Sequence, residues 1–105
     1  MDINKLNDKT IDIFGTRYTI KIVDTLDDDT KVNHYGVTIN NARIIKISKN
    51  VNGESQPDDE LNITFLHELI HAILDTGQYL TCSSDEPLVE WLARSLYSLI
   101  KQDVL

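Results

Sequence analysis

Basic residues are scarce in this chain: 10 Lys and Arg stand against 17 Asp and Glu, for a formal net charge of −7. Nucleic-acid binders gather Lys and Arg on one face, because phosphate neutralisation supplies most of their affinity. The longest charge run here, Asp27, Asp28 and Asp29, is acidic, so a nucleic-acid partner is excluded. Cysteine is scarcer still. Cys82 stands alone, which rules out an internal disulfide and leaves nothing that argues for secretion. No apolar run approaches the roughly 18–20 residues needed to cross a bilayer. The first 12 residues alternate polar and apolar, unlike the apolar stretch of a signal peptide. These absences predict a cytoplasmic protein with no membrane partner. There is no internal repeat, low-complexity segment or long linker either. The 105 residues, 41% of them apolar, match a single domain with one modest core.

The chain divides by periodicity, with residues 1–56 mainly β and 57–105 two helices. Ile11 and Ile13 alternate with polar neighbours, Phe14-Gly15-Thr16 reads as a turn, and Tyr18, Ile20 and Ile22 continue at period two. Residues 24–33 break the pattern. Their three aspartates lack EF-hand spacing and read as a solvated connection. Tyr35, Val37 and Ile39 form a third alternating strand and residues 43–48 a fourth, with Asn40-Asn41-Ala42 as the hairpin loop. A three-residue loop pairs Val37 with Ile45 and Tyr35 with Ile47, putting the bulky side chains on one face. This hairpin is expected to offer a free strand edge beside the first helix.

From about Asp58 the period becomes helical. Leu61, Phe65, Leu66, Leu69, Ile70, Ile73 and Leu74 make one broad stripe. Asp58, Asp59 and Glu60 suit the positive N-terminus, and Gly77 suits the exit. After a loop over 78–85, a second helix runs from near Pro87 to about Gln102. Its expected core side is Leu88 or Val89, Leu92, Ala93, Leu96, Leu99 and Ile100. The fold class is therefore α+β, with helices packed on one face of a small, mostly antiparallel sheet.

Chemistry concentrates in His67-Glu68-Leu69-Ile70-His71, in the middle of the first helix. Histidines at i and i+4 lie about 40° apart around the axis and about 6 Å along it, so both imidazoles can reach one ion. Zinc takes nitrogen ligands readily and, in catalytic sites, keeps a fourth position for water. Glu68, beside the first histidine, can take a proton from that water, which is the mechanical content of HExxH. Two of the chain's three histidines fall in this motif. For a third ligand the second helix offers Glu86 and Glu90, four apart and on one face. The metal level, near Leu69, is roughly 10 Å before the first helix ends. An antiparallel second helix starting near Glu86 climbs to that level around residues 90–93, which selects Glu90 and leaves Glu86 near the helix start as a cap.

Residues 67–75, HELIHAILD, resemble the active-site helix of thermolysin-like gluzincins. The segment from Glu90 to Tyr97 is similar to the one that supplies the third ligand there. In that segment a small residue follows the glutamate three positions on, and an apolar one six on. The layout resembles the ImmA/IrrE-type metallo-endopeptidases and the minigluzincins, often carried by phages and mobile elements. The resemblance implies a zincin-like fold, one zinc per chain held by His67, His71 and Glu90, Glu68 as general base, and hydrolysis of peptide bonds in a protein or peptide substrate. Thermolysin-like enzymes usually place an acid four residues after the ligand glutamate to orient a histidine; here Arg94 stands there. Tyr97, seven residues beyond Glu90, is the candidate donor to the developing oxyanion, with Tyr79 and His34 as rivals. The alternative to a zinc metallopeptidase is a metal-binding or protein-interaction module that keeps the scaffold without turnover.

Overall fold

A computed structural model describes residues 2–26 and 34–105; the Asp27, Asp28 and Asp29 run lies outside the described residues. A 3-10 turn, Ile3–Leu6, leads into strands β1 (Thr10–Ile13), β2 (Thr16–Val23), β3 (Gly36–Ile39) and β4 (Ile44–Ser48). Two short strands, β5 (Asn50–Val51) and β6 (Glu54–Ser55), precede helices α1 (Asp58–Thr76), α2 (Leu80–Ser83) and α3 (Glu86–Lys101). The chain is thus an α+β domain.

The main sheet has the order β1-β2-β4-β3. Its β1–β2 and β3–β4 pairs are antiparallel and its central β2–β4 pair is parallel. The β1–β2 turn needs two left-handed residues in succession. Phe14 (φ 47°) and Gly15 (φ 91°) supply them, as in the two-residue hairpins that match strand twist.

The β3–β4 register differs from the expected one. Thr38 pairs with Ile45 and Gly36 with Ile47, so the loop is residues 40–43, with Arg43 left-handed at φ 55°. Period two then puts Gly36 and Thr38, not Tyr35 and Val37, on the face shared with Ile45 and Ile47. The reason is space. An added Cβ on Gly36 would stand 2.9 Å from Thr64 Cγ2 and 3.0 Å from Glu68 Cγ, so only small side chains fit between β3 and α1. Among the described residues β3 is the sheet edge beside α1, as anticipated.

Helix α1 is buried on two sides, which explains its broad stripe. Leu61, Phe65 and Ala72 pack on Tyr18, Ile20, Ile45 and Ile47 of the sheet. Ile63, Leu66 and Ile70 pack on Val89, Ala93 and Tyr97 of α3. Consequently α3 sits on α1 rather than on the sheet. Its inner face is rotated from the expected stripe: Tyr97 is buried, whereas Leu88, Leu92 and Leu99 are each 37% exposed. Val89 and Ala93, both fully buried, let the two helices approach closely and set that rotation. The exit of α1 is left-handed at Gln78 (φ 65°), not Gly77, and the Tyr79 amide closes it on the Leu74 carbonyl at 2.8 Å. No described helix is long and apolar enough to cross a membrane.

Candidate metal centre

One helical turn separates His67 from His71, and the backbone delivers what that spacing promises: their Nε2 atoms stand 3.2 Å apart. The carboxylate that joins them comes from the first turn of α3. Glu86 Oε2 is 2.9 Å from His67 Nε2, and Glu86 Oε1 is 3.1 Å from His71 Nε2. These three donors form a group able to hold a metal ion. Ligands at roughly 2.0–2.1 Å around a tetrahedral ion lie about 3.3 Å from one another, close to the separation of the two imidazole nitrogens, while Glu86 meets each histidine with a different oxygen. Two imidazole nitrogens and one carboxylate oxygen are also the donor set of many catalytic zinc sites.

Glu90, the expected third ligand, sits one turn further along α3. Its Oε1 is 3.7 Å from the other ring nitrogen of His67, Nδ1, and 3.6 Å from Arg94 Nε. Arg94 in turn reaches Glu60 on α1 at 3.4 Å. Glu90 would be the residue level with the histidines if the chain began its climb at the start of α3. Instead, the connection that includes α2 has already climbed: Ser83 Oγ is 3.1 Å from His71 Nδ1. Three residues later the chain is level with both histidines, and the residue there is Glu86.

Glu68 is turned to the other side, toward the sheet. It is 8% exposed, and the Thr38 hydroxyl is shared between its Oε1 and its backbone carbonyl, 2.9 Å from each. Burial raises the Glu68 pKa above the ordinary range, opposed by the Thr38 hydrogen bond and the two histidines and reinforced by Glu86. Glu68, both histidines, Glu86, Gly36 and Thr38 line one cleft of about 720 Å³ between β3 and the two long helices. Asp75 also lines the cleft and accepts from the Asn40 amide at 2.7 Å, while Asn40 Oδ1 accepts from the Tyr18 hydroxyl at 3.0 Å.

Tyr97 does not line this cleft. Its ring is in the α1–α3 core, and its hydroxyl donates to Asp59 at 2.5 Å and accepts from the Asn62 amide at 3.2 Å. Seven residues beyond Glu90 kept it on one face of α3 but carried it about three turns past Glu86, which is level with the histidines. Tyr79 is exposed and lies outside the cleft, whereas His34 lines it. Cys82 is exposed. Ser83 and Thr38 were not singled out from sequence. A hydroxyl in a single helical turn and one in a strand carry no periodic signal, and each is marked only by the histidine or glutamate it meets in space. Comparison of the chain with protein-family models, curated proteins and solved structures finds no match in any of the three.

Proposed function

We propose that the chain is a zinc-dependent metallopeptidase of zincin-like fold, with Glu68 as general base. The observation that carries this reading is the pairing of two environments on successive residues. His67 offers Nε2 to a three-donor group, while Glu68 is withdrawn from solvent and held by Thr38 in the same cleft. A site built only to hold a metal has no use for a buried carboxylate in the same cleft, and usually closes its fourth position with a protein ligand. When bound, zinc in this donor set lowers the pKa of water and polarises a carbonyl. His67, His71 and Glu86 would hold it. Glu68 takes a proton from the attacking water and returns it to the leaving amine, a role suited to a carboxylate whose pKa burial raises. β3, an edge strand running beside the cleft, can align an extended peptide by strand addition.

Glu86 as third ligand also shifts the resemblance of α3 by one turn. The acid expected four residues after the ligand glutamate is then Glu90, standing near His67 Nδ1, and Arg94 no longer breaks the pattern. The small residue expected three positions on is lost in exchange, since Val89 takes its place.

The test is a pair of measurements on one protein. Elemental analysis and zinc titration should find one zinc per chain. Glu68→Gln should keep that zinc and lose at least about 100-fold in peptide hydrolysis, the usual scale of a general base. Absence of zinc uptake, or equal turnover by mutant and parent, would overturn the reading. Metal uptake with no hydrolysis by the parent leaves the binding module in its place.

A further inference from the structure

Between Gly77 and Leu88 the chain turns its side chains to solvent, including the apolar Tyr79 (64% exposed) and Leu80 (58%). The one exception is Ser83, at 7% exposure. Hydrophobic burial would have chosen Leu80. A hydroxyl taken from water costs free energy unless it finds a partner, so its burial calls for a specific one. That partner is His71 Nδ1, at 3.1 Å, and α2 is the single helical turn that delivers the hydroxyl to it. We propose that Ser83 is a positioning residue for the metal ligand His71, an inference that rests on the metal-centre reading above. Its oxygen accepts from Nδ1–H, which fixes the imidazole tautomer, leaves the lone pair on Nε2 and aims that nitrogen at His67 and Glu86. The loop that joins the two ligand helices thereby becomes part of the site.

The test uses the full chain and zinc alone. Zinc affinity is measured by competition with a chromophoric chelator for the parent, Ser83→Ala, Ser83→Thr and Ser84→Ala. Ser84 is the exposed neighbour whose hydroxyl donates to the Thr81 carbonyl, so its loss should leave affinity unchanged. Ser83→Ala should weaken zinc by about 10–100-fold, the range for lost partners of ligating histidines. Ser83→Thr, which keeps the oxygen, should recover most of it. In the cobalt-substituted protein, the His71 Nδ1–H resonance should be sharp in the parent and broadened by solvent exchange in Ser83→Ala. A purely structural serine gives a different pattern: a lower melting temperature for the metal-free variant, with unchanged affinity and an unchanged His71 resonance. That pattern overturns the proposal. Failure of the parent to take up zinc or cobalt overturns the metal centre itself, and this inference with it.

Discussion

Three side chains about one turn of α1 apart meet two different fates, and the difference is what they touch. His67 and His71 project toward α3, where Glu86 meets both, while Glu68 projects toward the sheet, where Thr38 meets it. Glu86 and Glu90 can be separated by titration. Glu86→Ala should weaken zinc binding strongly. Glu90→Ala, whose carboxylate stands only beside His67 Nδ1, should cost less, about 10–100-fold at most. The reverse ranking would restore Glu90 as the ligand. Thr38→Val removes one hydroxyl at nearly constant volume and leaves a buried carboxylate short of a donor, at a cost of about 1–3 kcal/mol. Zinc affinity should hold while hydrolysis falls. A variant with the parent's rate would show that Thr38 serves the sheet and not Glu68.

Among the elements, the contact of β3 with α1 is the tightest constraint. Gly36 lies where any Cβ would press on Thr64 and Glu68. Gly36→Ala must therefore move the strand or the helix, and overpacking of this kind costs about 1–3 kcal/mol. Urea unfolding should show that loss, and an unchanged midpoint would mean that β3 stands further from α1. At the other end of α1, Tyr97 ties α3 to the first helical turn through Asp59. That hydrogen bond, with Lys101 adding to it, lowers the Asp59 pKa below the ordinary range. For a carboxylate depressed in the folded state, the stabilisation is present above its unfolded pKa and is lost as pH falls through its folded pKa. Tyr97→Phe should raise the Asp59 titration midpoint seen by NMR and flatten this part of the acid limb. An unmoved midpoint would reassign the shift to Lys101.

For the molecule as a whole, the candidate metal centre joins the last two layers of a stack in which the sheet carries α1 and α1 carries α3. His67 and His71 belong to the middle layer and Glu86 to the outer one, so a bound ion cross-links the layers and should stabilise the fold by linkage. With free zinc at 100 times its dissociation constant the gain is about 2.7 kcal/mol. For a domain of this size that corresponds to a rise in melting temperature of roughly 10–20 °C. Calorimetry with zinc and with excess chelator measures it directly. Coincident transitions would mean that the three donors do not close on an ion.

What the sequence by itself determined is whatever depends on neighbours along the chain. Period two located β1 to β4, period 3.6 located α1 and α3, and the i, i+4 spacing placed two imidazoles together with a glutamate beside them. Both helix N-termini were legible from the residues around Asp58 and Pro87. Only the tertiary structure decided which residue completed each local pattern. The hairpin register depended on the space left between β3 and α1, which admits Gly36 and Thr38 and excludes the bulkier alternation read from Tyr35 and Val37. The buried face of α3 depended on how closely Val89 and Ala93 let it approach α1, a distance that periodicity does not contain. The meeting of Glu86 with both histidines depended on the climb of the connection through α2, where a buried serine meets a histidine 12 residues earlier in the chain. Local periodicity states which way a side chain points from its own backbone. What it meets there is a property of two backbones at once, and a carboxylate or hydroxyl acquires its chemistry from that meeting.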